Sequence, residues 1–73
     1  MALSDLDRLQ RQVGKRIKAL RAEKKMKAQD LAAACNLEKA HLSRIEAGGQ
    51  NLTLKMLLRI AKALDTDVAG LLN

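Results

Sequence analysis

The stretch Ala28-Gln-Asp-Leu-Ala-Ala-Ala-Cys-Asn-Leu-Glu-Lys-Ala-His-Leu-Ser-Arg-Ile-Glu46 constrains the fold more than any other part of this chain. Its apolar residues form two short helical patterns, with Leu31 and Cys35 inward on the first and Leu42 and Ile45 inward on the second. Only Asn36-Leu37 separates them. The sequence has no aromatic residue and no proline, so any core must be built from Leu, Ile, Val, Met and Ala, a mix that favours helix over sheet. An all-α fold follows. With 73 residues, one domain spanning 1–73 is expected, near the lower size limit for a core without covalent staples.

The rest of the chain supports the same class. Ser4, with Asp5 and Asp7 behind it, suits a helix start, because a hydroxyl acceptor and nearby carboxylates match unpaired N–H groups and the positive end of the dipole. Leu6, Leu9, Val13, Ile17 and Leu20 then mark one stripe of a long first helix ending near Lys24. Its other faces carry Arg8, Arg11, Lys15, Arg16, Lys18 and Arg21. A second helix is expected over Ala28 to Cys35, turned by Asn36, and a third over Lys39 to Ala47, stopped by Gly48-Gly49. Lys27 and Glu38 are poor N-caps, so frayed starts are expected there. Thr53 caps a fourth helix with a core stripe of Leu54, Leu57, Leu58, Ala61 and Leu64, flanked by Met56, Ile60 and Ala63. Asp65-Thr-Asp67 breaks the chain before a last short helix carrying Val68, Leu71 and Leu72. The expectation is a compact five-helix unit. Its second and third helices have the pattern of a helix-turn-helix, whose second helix can enter the major groove of DNA.

An excess of 14 Lys and Arg over 8 Asp and Glu gives a net charge of +6, which suits a polyanionic partner, nucleic acid or an acidic membrane surface. A membrane role is disfavoured, since the apolar stripe of the first helix is needed for the core and lacks aromatic anchors. The lone Cys35 reads as a buried small hydrophobe, and with one cysteine no internal disulfide forms. Neither a signal-peptide layout nor a membrane-length apolar run is present, so a cytoplasmic protein is expected. Paired catalytic carboxylates, an activated nucleophile and a phosphate-cradling glycine loop are all missing, which argues against an enzyme. Cys35 and His41 are the only good soft ligands, so no metal and no cofactor are expected, and the length leaves no room for a small-molecule effector domain.

Several segments together carry a family resemblance: Ile17-Lys-Ala-Leu-Arg21, Asp30-Leu-Ala32, Asn36-Leu37, Leu42-Ser-Arg-Ile-Glu46 with Gly48, and Leu57-Leu-Arg-Ile-Ala-Lys-Ala-Leu64. From about Val13 to Leu72 the chain resembles the phage-repressor-like, Cro-type (Xre) helix-turn-helix proteins. Within them, Leu37 to Glu46 followed by Gln50-Asn-Leu-Thr-Leu54 is similar to restriction-modification controller proteins. The resemblance implies a repressor-like DNA-binding domain in which Arg21 and Glu46 form a partly buried ion pair tying the first helix to the recognition helix. Two unrelated surface charges are the alternative.

Direct readout needs long donor or acceptor side chains on the exposed face near the start of the recognition helix. Here those positions are Lys39, Ala40, Ser43 and Arg44. Arg44 can present a bidentate fork to a guanine edge, Lys39 can reach a guanine or a phosphate, and Ala40 offers only methyl contact. Without the family pattern both cations would read as ordinary solvated charges. Phosphate contacts come from helix starts, loops and flexible side chains, which nominates Lys27, Gln29, His41, Gln50 and Asn51. Relatives commonly carry Gln at the position of Ala28 and a hydroxyl at that of Lys27, so the usual clamp is altered and Lys27 substitutes through charge. One recognition helix reads few base pairs, so a homodimer on a palindromic double-stranded operator is expected, joined through Met56, Ile60, Ala63, Val68 and Leu72. The reading is a sequence-specific transcriptional regulator, repressor or autoregulator. The alternative is a protein-interaction module, such as an antitoxin-like or adaptor domain, whose basic face meets an acidic protein.

Overall fold

A computed structural model describes residues 4–49 and 52–73. Five helices follow in order: α1 (Asp5–Glu23), α2 (Ala28–Ala34), α3 (Lys39–Glu46), α4 (Leu54–Ala63) and α5 (Val68–Leu72). α1 packs against α3 and α5, α2 against α3 and α4, and α4 against α5. Ile17, Leu31, Leu42, Ile45, Ile60, Leu64, Leu71 and Cys35 meet in the centre with almost no exposed surface. The all-α, five-helix class read from the sequence is the architecture of the protein.

Helix starts follow local chemistry. The hydroxyl of Ser4 accepts from the Asp7 N–H at 3.1 Å, that of Thr53 from Met56 N–H at 3.0 Å, and the Asp67 carboxylate from Gly70 N–H at 2.7 Å. Lys27 supplies no side-chain cap to α2, but Asp30 reaches back and accepts from the Lys27 N–H at 3.0 Å, half of a capping box. Glu38 gives α3 no cap of either kind.

Each of the first four helices stops in the same way. Lys25, Asn36, Gly48 and Asp65 have φ of 55°, 58°, 81° and 56°, and each left-handed residue closes a pair of hydrogen bonds onto the preceding turn. After α2, for instance, Leu37 N–H donates to Ala32 O at 2.8 Å and Asn36 N–H to Ala33 O at 3.1 Å. The α2–α3 connection is thereby four residues, Cys35 to Glu38, because Cys35 is the cap of α2 and not its last residue; α3 likewise ends at Glu46 with Ala47 as cap. α5 has only five residues and is held from outside: Gln12 Nε2 donates to Leu72 O at 2.8 Å and Arg16 Nε to Gly70 O at 3.0 Å. Arg16, though exposed, thus also ties α1 to the end of α5.

Three expectations are corrected. Leu6 and Leu9 continue the stripe of α1 but overhang the core, 55% and 43% exposed, lining a surface groove with Leu52, Leu57 and Leu72. On α4 the core face is Leu57, Ile60, Ala61 and Leu64, whereas Leu54 is 81% and Leu58 48% exposed. At about 100° per residue, Leu58 falls off the buried arc and Ile60 falls on it, while Leu54 lies at the uncovered start of the helix. Ile60, expected at a subunit interface, is fully buried within the chain and has no surface to offer a partner.

Candidate nucleic-acid interface

α3 is divided into two faces. Leu42 and Ile45 are buried, and Lys39, Ala40, Ser43 and Arg44 stand exposed on the other side. His41 is half-buried and lines a surface depression with Asn36, Leu37, Glu38 and Arg44. Glu38 tempers the positive charge at that end of the helix. Lys27 and Gln29 are exposed at the start of α2, whereas Gln50 and Asn51 lie outside the described residues.

The orientation of α3 is set by its C-terminal end. Arg21 Nε donates to Glu46 Oε2 at 2.8 Å and Nη2 to Oε1 at 3.1 Å, a bidentate pair, while Nη1 donates to Met26 O at 3.0 Å. One guanidinium therefore joins α1, the turn after it and α3. The two side chains are only 16% and 9% exposed, and the hydrogen bonds to Glu46 hold the Arg21 guanidinium above its ordinary range against the opposing effect of burial. The same helices meet backbone to backbone. A Cβ at Gly14 would stand 2.5 Å from Glu46 O and 2.6 Å from Ile45 O, so α1 and the end of α3 approach as closely as only glycine permits.

A second depression of about 280 Å³ lies where α1 meets the helix-turn-helix unit, lined by Lys18, Arg21, Ala28, Ser43, Glu46 and Ala47. Lys18 is exposed there. Sequence reading had no means of selecting it from the other cations of α1, since only packing puts it beside Ser43. Among the described residues no three His, Cys, Asp or Glu side chains gather as a metal site would require, and no helix is long and apolar enough to cross a membrane.

A solvent-facing, donor-rich helix locked by a buried face and a bidentate pair to a supporting helix defines a DNA-binding helix-turn-helix domain. Comparison with known proteins agrees. Residues 17–71 match the family described as Helix-turn-helix. Over 61 residues the chain is 38% identical to the immunity repressor protein of Bacillus phage phi105, covering 84% of this chain and 42% of that protein. The chain thus spans less than half the length of that curated relative. Among solved structures, the clp gene regulator ClgR from Corynebacterium glutamicum superposes with a TM-score of 0.85 at 28% identity, over 88% of this chain and 68% of that one. The restriction-modification controller protein C.AhdI from Aeromonas hydrophila gives a TM-score of 0.81 at 30% identity, over 84% and 92%. The chain belongs to the Xre-type helix-turn-helix family of DNA-binding domains, and the relatives just named are an immunity repressor, a gene regulator and a controller protein.

Proposed function

We propose that α3 reads the major groove of a specific double-stranded operator and that the chain acts in the cytoplasm as a repressor or autoregulator. The observation carrying this is the division of α3: its apolar face is sealed in the core while Lys39, Ser43 and Arg44 face solvent from a rigidly oriented backbone. Arg44 forks onto a guanine edge, Lys39 takes a guanine or a phosphate, and the methyl group of Ala40 meets a thymine. Lys27, Gln29 and His41 position the backbone of the duplex.

The operator is palindromic and two chains bind it, with half-sites about 34–36 Å apart. The self-association surface is the C-terminal flank, Met56, Ala63, Val68 and Leu72, without Ile60. Leu72 has the largest free fraction of these, and a shallow apolar groove joins it to Leu6 and Leu9.

The exposed methyl group of Ala40 and the half-buried Ala28 behind Lys27, neither offering a polar group, favour one competing reading, a module docking an acidic protein. A mobility shift against random-sequence duplex at moderate salt separates the two. Micromolar binding that weakens steeply with salt is expected of the DNA reader; no shift at micromolar protein would favour the docking module.

A further inference from the structure

The depression between α1 and the helix-turn-helix unit has an uneven chemistry. Arg21 and Glu46 line it and satisfy each other, both carboxylate oxygens being taken by the guanidinium. Neither is free for a ligand. Ala28 and Ala47 contribute methyl groups only, which is why the space stays open. Two polar groups remain. Ser43 is exposed on the reading face of α3, and Lys18 is exposed on α1 with no ion-pair or hydrogen-bond partner among the described residues. The engaged state of Glu46 leaves the Lys18 ammonium without a counter-charge in the depression it lines.

We infer that Lys18 and Ser43 together seat one phosphodiester group of the DNA backbone, which turns the Ser43 hydroxyl from the base edge expected of it to the strand, so that the first helix contributes a phosphate contact beside the reading helix. This rests on the DNA-binding reading above. The placement selects a phosphate over a base edge: Lys18 stands on the supporting helix α1 and not on the reading helix, and the Ser43 hydroxyl adds a short donor in the same depression. The setting selects a polyanion over a free anion. One exposed ammonium in an open depression holds a free phosphate poorly, but it adds to affinity when neighbouring contacts from Lys27 and Gln29 already anchor the strand. Lys18 thereby supplies from α1 the donor that Ala28, lining the same depression, lacks.

The test is fluorescence anisotropy of the full chain on a labelled random-sequence duplex across a salt series. Lys18→Ala is expected to reduce the slope of log K against log salt by about 0.9 per chain bound and to weaken binding roughly fivefold at about 0.15 M salt. Lys18→Arg is expected to keep the slope. Lys62→Ala, the same charge loss in a different cleft with Ala34 and Cys35, is expected to leave it unchanged. Ala28→Gln added to Lys18→Ala is expected to recover part of the affinity, since it returns a donor to the same depression. An unchanged slope for Lys18→Ala, or an equal loss for Lys62→Ala, would overturn the seat while leaving the DNA reading standing. Failure of the unaltered chain to bind any duplex would overturn both.

Discussion

Lys25 adopts a left-handed backbone without the freedom of glycine, at φ 55°, because the chain must reverse directly after α1 to bring α2 under the core. Lys25→Gly should therefore stabilise the fold by about 1 kcal/mol, read as a higher melting temperature, with no change in DNA affinity. Gly14 carries the opposite constraint. Gly14→Ala gains helix propensity but drives a methyl group into the carbonyls of Ile45 and Glu46, and a net loss of about 1–3 kcal/mol is expected in urea denaturation. Glu46→Ala strands the Arg21 guanidinium in a largely buried position and should cost about 3 kcal/mol, whereas replacing both partners by apolar residues of similar volume should recover most of that loss. At Cys35 burial pushes the thiol up, partly offset by the nearby Arg59 guanidinium. The folded thiol holds its proton to higher pH than the unfolded one. Stability is then full below the ordinary thiol range and declines as pH rises through it, so the urea midpoint should fall between about pH 8 and about pH 10, less so in Cys35→Ala.

At the scale of the element, the proposed reading divides the work of recognition between α3 and the start of α2. On a selected site Arg44→Ala should cost about 1–3 kcal/mol and relax the preference at one base position, with little effect on random DNA. Lys27→Ala should weaken both equally and flatten the salt dependence by about one unit. A competition titration with specific and random duplexes distinguishes the two outcomes. The helices themselves were legible in the sequence because their signals are local: Ser4, Thr53 and Asp67 cap as their chemistry dictates, and Asn36 takes the left-handed turn. What the sequence left hidden depends on which neighbour covers a face. Periodicity alone cannot tell that Ile60 is covered and Leu58 is not, nor that Arg16 spends its side chain on the end of α5. Within the site, the exposed residues of α3 could be picked from spacing, but Lys18 could not, since its significance comes from the packing of α1 against α3.

For the whole molecule, a net charge of +6 on a body of 35 × 24 × 22 Å gives general attraction to nucleic acid without naming a sequence. In the proposed reading, specificity at operator scale comes from two copies. If Leu72 belongs to the surface that joins them, Leu72→Asp should convert a dimer to a monomer in sedimentation velocity and weaken palindrome binding while leaving helicity intact. The chain's partial coverage of its phage relative makes this dimer a property to be measured on the 73-residue chain itself. The most direct measurement of sequence-specific reading is selection of binding sites from a random duplex pool. Enrichment of a palindrome with half-sites about one helical turn apart is the expected result. Recovery of DNA with no enriched motif, or no recovery at all, would contradict it.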